Sequence, residues 1–149
     1  MNPKHTFLLN EGTWNAKGFY FDENEKSFAA EGETTIKHNE NTWQVSNWIK
    51  TLGNDPLEIR NEYEVTPFKE NGKTAFWKSE NPIFGALKGS FLIHGEYIVS
   101  LFESEDKIYS GSEYLIFVDK KHYRYRGVIF GADKKYASWT LEMKISNNE

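Results

Sequence analysis

Glu11-Gly12-Thr13-Trp14-Asn15-Ala16-Lys17-Gly18-Phe19-Tyr20-Phe21 is the stretch from which the rest of the chain is read. On an extended strand successive side chains point to opposite faces. Trp14, Ala16, Gly18 and Tyr20 therefore share one face, and Asn15, Lys17, Phe19 and Phe21 share the other. Gly12 permits a sharp entry into the strand, and small Ala16 and Gly18 leave room behind the indole. The stretch reads as an opening strand whose Trp14 fills the floor of a closed β-barrel. Ahead of it, residues Pro3–Asn10 are predicted to form a short helical cap over one barrel end.

Downstream of Phe21 short alternating segments are separated by polar turn clusters, the pattern of an antiparallel all-β domain. About ten strands are predicted, over 12–21, 27–38, 42–51, 57–66, 73–79, 87–93, 96–104, 107–118, 122–131 and 134–145. Asp22-Glu23-Asn24-Glu25, His38-Asn39-Glu40-Asn41, Gly53-Asn54-Asp55-Pro56, Ser104-Glu105-Asp106-Lys107 and Asp119-Lys120-Lys121 are turn-prone. Asn71-Gly72 is the strongest hairpin signal, because a type I′ turn needs positive φ at both central residues. Long strands in simple succession favour one up-and-down barrel over a sandwich, and closure removes exposed edges. Asn81-Pro82-Ile83-Phe84-Gly85 is the least regular stretch and reads as a portal loop or a long turn.

Charge sets the facing of the fourth strand. Leu57, Ile59, Asn61, Tyr63 and Val65 alternate with Glu58, Arg60, Glu62, Glu64 and Thr66, so the first set points inward. The same test turns Phe28, Ala30, Gly32, Thr34, Ile36 and His38 inward on the second strand. Trp43, Val45, Asn47 and Ile49 turn inward on the third, and Ala137, Trp139, Leu141, Met143 and Ile145 on the last. The eighth strand admits two registers, one of which sends Glu113 inward. In the ninth, Arg124 and Arg126 alternate with Tyr123, Tyr125 and Gly127.

With 149 residues the chain fits a single domain, 1–149. Five Trp, eight Tyr and eleven Phe favour strands around a ring-lined interior. The net charge of −4 comes from interspersed acidic and basic residues, so no basic stripe exists to track phosphates and nucleic acid is not an expected partner. No Cys is present, which removes disulfides, thiolate metal sites and a Cys nucleophile. No segment approaches the ~20 apolar residues of a membrane span, nor is the N-terminal apolar run long enough for a signal peptide. The expected location is cytoplasmic; oligomeric state is not written in the chain.

Candidate sites follow from polar residues on inward faces. Arg124 and Arg126, with Tyr125 at the rim, offer guanidinium forks for a ligand carboxylate or phosphate if their face is interior. If it is exterior they pair with surface Glu residues, and a Glu113–Arg126 pair inside the barrel is a third arrangement. His38, Asn47, Asn61 and Tyr63 supply the few convergent polar groups a ligand cavity needs, or else they satisfy one another. His5, His38, His94 and His122 lack metal-ligand spacing, so no metal is expected. Neither a Gly-x-Ser-x-Gly elbow, a phosphate loop nor a dinucleotide fingerprint occurs.

Gly12-Thr13-Trp14, the succession of antiparallel strands and an Arg near the final strands resemble the calycin superfamily of lipocalins and fatty-acid-binding proteins. The resemblance implies a ligand-enclosing barrel, and by analogy with lipocalins an Arg, here Arg124 or Arg126, packed across Trp14. Asp22–Lys26 is too short for the helical lid of a fatty-acid-binding protein, and the terminal helix of lipocalins has no counterpart. The longer pattern Gly12-x-Trp14-x-Ala16-x-Gly18-x-Tyr20 is similar to the opening of nitrobindin-like ten-stranded barrels. Those hold haem through a His near the C-terminus, whereas this chain has no His after His122. Haem, and any other cofactor, is accordingly not expected.

The leading expectation is a barrel that binds a small, largely apolar molecule, with or without a carboxylate, and performs no chemistry on it. Trp14, Phe28, Trp43, Tyr63, Trp139 and Met143 form the wall, with Asn47, Asn61 and Arg126 as polar contacts. One alternative is an isomerase or lyase using Glu113 with His38 or Tyr63 as proton carriers. The other is a filled barrel serving as an interaction domain.

Overall fold

The computed structural model describes residues 4–69 and 72–146, and these wind into one closed antiparallel barrel. Its strands are β1 (Gly12–Phe21), β2 (Ser27–His38), β3 (Trp43–Thr51), β4 (Glu58–Thr66) and β5 (Thr74–Asn81), then β6 (Gly85–His94), β7 (Tyr97–Ser104), β8 (Ser110–Asp119), β9 (His122–Phe130) and β10 (Lys135–Ile145). Each strand pairs with its neighbour in sequence. β1 and β10 close the cylinder from Trp14↔Ile145 to Phe21↔Ser138.

The inward faces follow the charge argument. Val45, Asn47 and Ile49 are buried on β3, and Ala30, Thr34 and Ile36 on β2. On β8 the interior register is that of Glu113 and Leu115. Leu57 departs from its predicted place: it precedes β4 and is exposed. Several turns are wound by one device, a side-chain oxygen that accepts the N–H two residues on. Asp22 does this for Asn24 at 2.9 Å, Asn81 for Ile83 at 2.8 Å, Asp106 for Ile108 at 3.0 Å and Asp119 for Lys121 at 2.7 Å. Asn81–Gly85 is therefore a tight turn between paired strands. Asn71 lies outside the described residues.

The N-terminal segment closes one end without a helix, which corrects the predicted cap over Pro3–Asn10; Pro3 lies outside the described residues. Among the described residues there is no helix, hence none long and apolar enough to cross a membrane. A single turn closed by Asn10 N–H to Thr6 O at 3.0 Å, with Leu8 at φ 72°, drives Phe7 and Leu8 into the barrel end. Burial of two apolar side chains, rather than a helical period, is what orders this segment. His5 fastens it. Its Nε2 donates to Gly95 O at 2.8 Å, which leaves Nδ1 to accept the Tyr123 hydroxyl at 2.7 Å.

Gaps in pairing are uneven. β4 and β5 pair only from Tyr63↔Ser79 to Thr66↔Phe76, so Glu58–Glu62 have no partner strand on that side. Every other seam between described strands is paired over most of its length.

Candidate functional site

The barrel interior is divided by a polar waist. Asn47, Tyr63, Glu113 and Tyr125, from β3, β4, β8 and β9, border an upper chamber of about 50 Å³ and a lower one of about 20 Å³. The lower chamber lies over the plug, against Phe7, Leu8 and Met143. The upper chamber is walled by rings, chiefly Trp77, Phe102 and Trp139. Its far end is capped by Phe84, Tyr109 and Tyr136, whose rings meet edge to face at centroid distances of 4.9, 5.4 and 5.9 Å.

Glycines opposite the large rings make this wall possible. Trp139 lies across its register partner Gly127, and the Trp77 ring lies 2.7 Å from where a Cβ of Gly89 would stand. Without side chains at these points the indoles lie flat along the wall and leave the centre open. Trp77 Nε1 donates to Ser100 Oγ at 3.1 Å. Trp139 Nε1 forms no complete hydrogen bond, although it lies close enough to the Tyr125 hydroxyl to oppose that group's upward shift.

Glu113 is the buried charge of the waist, 7% exposed, and Tyr125 donates its hydroxyl to Oε2. Burial pushes the Glu113 carboxyl up to about 7, against the opposing pull of that hydrogen bond. Tyr125 and Tyr63 are raised well above the ordinary phenol range, first by burial and then by the neighbouring Glu113 charge. Tyr63 is half-buried at the last paired register of the β4–β5 seam, where it borders both the enclosed waist and an outer groove. Among the described residues, no Lys, Arg or His borders either chamber.

An amide relay runs from the waist to the cap. Asn47 Nδ2 donates to Thr34 Oγ1 at 3.4 Å, Asn61 Nδ2 to Asn47 Oδ1 at 3.2 Å, and Asn81 Nδ2 to Asn61 Oδ1. Asn81 Oδ1 in turn accepts the N–H groups of Ile83 and Phe84 at 2.8 and 2.9 Å.

The structure thus assembles Asn47, Asn61, Tyr63, Glu113 and Trp139 around the upper chamber, with Met143 below the waist. Others fall elsewhere. Arg124 and Arg126 stand on the outer face, 3.6 and 3.9 Å from Glu142, which also meets His122 Nε2 at 2.6 Å. This corrects the carboxylate clamp and the interior Glu113–Arg126 pair. β9 buries the tyrosine face instead, because a phenol loses less on leaving water than a guanidinium. Nor does an Arg cross Trp14, which is met by Phe7 at 5.5 Å and Tyr123 at 5.4 Å. Trp14 and Trp43 belong to the plugged end. His38 stacks on Trp43 at 4.1 Å and bonds Leu8 O at 2.9 Å, away from Glu113's chambers. Phe28 sits outside the cap, in the cleft beside Tyr136.

Trp77, Ser79 and Asn81 are not among the predicted site residues, and Tyr125 is expected only at the rim of the arginine clamp, not as the partner of Glu113. A signal existed for the first three. On β5 Lys78 and Glu80 alternate with Trp77, Ser79 and Asn81, the same charge test that orients β4.

No family model matches the chain, and no curated protein sequence matches it. Among solved structures it is similar to the S-type phycobiliprotein lyase CPES from Guillardia theta, with a TM-score of 0.64 and 8% identity over 96% of this chain and 92% of that one. A protein of Nitrosomonas europaea provisionally called AttH is matched at a TM-score of 0.31, with 9% identity over 92% of this chain and 51% of that one, too remote to bear on the fold. The first likeness is one of fold alone, and the closed antiparallel barrel of ten strands fits a calycin-like architecture.

Proposed function

We propose that the barrel binds a small, largely apolar, ring-bearing molecule in its upper chamber and orients it by a hydrogen bond to Glu113. The observation that carries this reading is a buried carboxyl with one protein donor, Tyr125, at the floor of a chamber walled by Trp77, Phe102 and Trp139. Rings supply contact area; the waist supplies direction. The fold shared with the phycobiliprotein lyase supports a barrel built around an interior, while the ligand class is argued from this chain's own residues.

The waist selects by charge. A carboxylate in the chamber meets Glu113 with no interior cation to offset it, so the ligand is one that presents an N–H, O–H or cationic group. This replaces the carboxylate-bearing ligand expected from Arg124 and Arg126. Native mass spectrometry of protein purified from its own host tests the reading. The expected result is a retained small molecule, released when the barrel unfolds and carried less by Glu113→Gln. Bare chain mass from every preparation, together with no saturable uptake of neutral aromatic probes, would refute it.

A second reading, acid–base chemistry on the bound molecule, is favoured by the same carboxyl. Held near neutrality by burial, Glu113 is suited both to give and to take a proton. Recovery of the retained molecule chemically unchanged after prolonged incubation would count against it.

A further inference from the structure

The upper chamber, at about 50 Å³, is much smaller than the roughly 300–1,000 Å³ of ordinary small-molecule sites. Both barrel ends are stoppered, one by Phe7 and Leu8 and the other by the Phe84, Tyr109 and Tyr136 cluster. The wall lacks backbone pairing in one direction. Where β4 leaves β5, an outer groove of about 650 Å³ begins, and Tyr63 and Leu87 line both that groove and the upper chamber. Across the unpaired stretch the side chains of Asn61 and Asn81 are joined by a hydrogen bond in place of backbone pairing. Ser79 stands at the last paired register. It is 6% exposed, it borders the groove, and its Oγ has no hydrogen-bond partner.

The groove has its own charge character. Glu62, Glu64, Glu80 and Glu105 outnumber Lys78 and Lys88, and Lys78 is already engaged by Glu64 at 3.6 Å. A positively charged group is therefore favoured there, and a second anion is not.

From these observations we infer that the binding site is composite: the ligand lies across the β4–β5 seam, its ring in the upper chamber and a positively charged tail in the outer groove, entering sideways past the Asn61–Asn81 latch. The inference rests on the proposed interior binding. It adds the route, the second subsite and the elongated, cationic-tailed form of the ligand. Ser79 Oγ is placed to accept a hydrogen bond from the spacer where it crosses the seam.

Three fluorescent probes separate the claims. N-phenyl-1-naphthylamine is neutral and reports interior binding alone. Dansylcadaverine and dansyl-6-aminohexanoic acid share a ring head and a similar spacer, but end in an ammonium and a carboxylate respectively. Dansylcadaverine is expected to bind about fivefold more tightly than its carboxylate counterpart, with the margin shrinking in Glu62→Gln combined with Glu80→Gln. Because the chain has no Cys, Asn61→Cys combined with Asn81→Cys introduces one possible intramolecular disulfide, whose formation is followed by thiol titration of the monomer isolated by non-reducing electrophoresis. Oxidation should slow probe uptake about tenfold or more, reversibly on reduction. A matched pair across the fully paired β2–β3 seam, Thr35→Cys with Ser46→Cys, should leave uptake unchanged. Asn61→Ala removes the latch without touching the Asn81 turn and should speed both uptake and release. It decides the matter if the disulfide does not close. Saturable naphthylamine binding with equal affinity for the two dansyl probes, or with uptake indifferent to both the lock and Asn61→Ala, overturns the composite site and leaves interior binding standing. Failure of all three probes to bind overturns the interior reading itself.

Discussion

Glu113 is a carboxyl buried at the waist with Tyr125 as its hydrogen-bond donor, and the consequence is a stability that depends on pH. Its carboxyl titrates at about 7 in the folded barrel and in the ordinary carboxylate range once unfolded. Between those values the folded state holds a proton that the unfolded state has released. Stability contributed by the neutral form is therefore complete below the unfolded pKa and is lost as pH rises through the folded one. Glu113→Gln should be stabilising by on the order of 3 kcal/mol at pH 8 and nearly neutral at pH 4, read from urea melts of both proteins at each pH. A constant difference across that range would show that the carboxyl is not desolvated. The same residue shows why the site was only partly legible. Alternation on β8 allows Glu113 to face inward, but its partner depends on β9, where the sequence leaves open whether the arginine face or the tyrosine face is interior.

At the scale of the strands, the legible features were those controlled by charge and by turn chemistry. Glu58, Arg60, Glu62 and Glu64 on β4 declare the wet face, so Asn61 and Tyr63 could be placed inside from sequence. Asp22 and Asp119 mark their turns by the same hydrogen bond that a turn-prone sequence anticipates. Two element-level features left no such trace. The N-terminal plug is ordered by burial of Phe7 and Leu8 against distant strands, a tertiary effect with no local period. The short β4–β5 ladder is a property of the barrel's closure, since both strands are long enough to pair further. The pairing of rings with glycines across strands is likewise invisible until registers are known. Gly127→Ala tests that device, because a methyl there overlaps the Trp139 indole. It should destabilise the barrel by about 1–3 kcal/mol in chemical denaturation and displace the indole, seen as a shift in tryptophan emission. An unchanged midpoint would mean that the wall repacks freely.

For the whole molecule, the arrangement is a cylinder closed at both ends, with a small chamber on each side of the waist. The lower chamber of about 20 Å³ has room for little more than one water, whereas the upper one, about 50 Å³, shares Tyr63 and Leu87 with the groove outside the β4–β5 seam. This places the barrel between the two extremes the sequence allowed, a wide ligand cup and a solid interaction domain. Among the described residues no cation and one carboxyl border the two chambers, so the proposed guest is chosen by ring surface and donor chemistry together. The most direct measurement is a crystal structure of the protein with N-phenyl-1-naphthylamine. The account predicts the probe between the Asn47–Glu113 waist and the Phe84–Tyr109–Tyr136 cap, its rings against Trp77 and Trp139. A crystal with the probe confined to the outer wall, and the upper chamber collapsed around its own side chains, would contradict it.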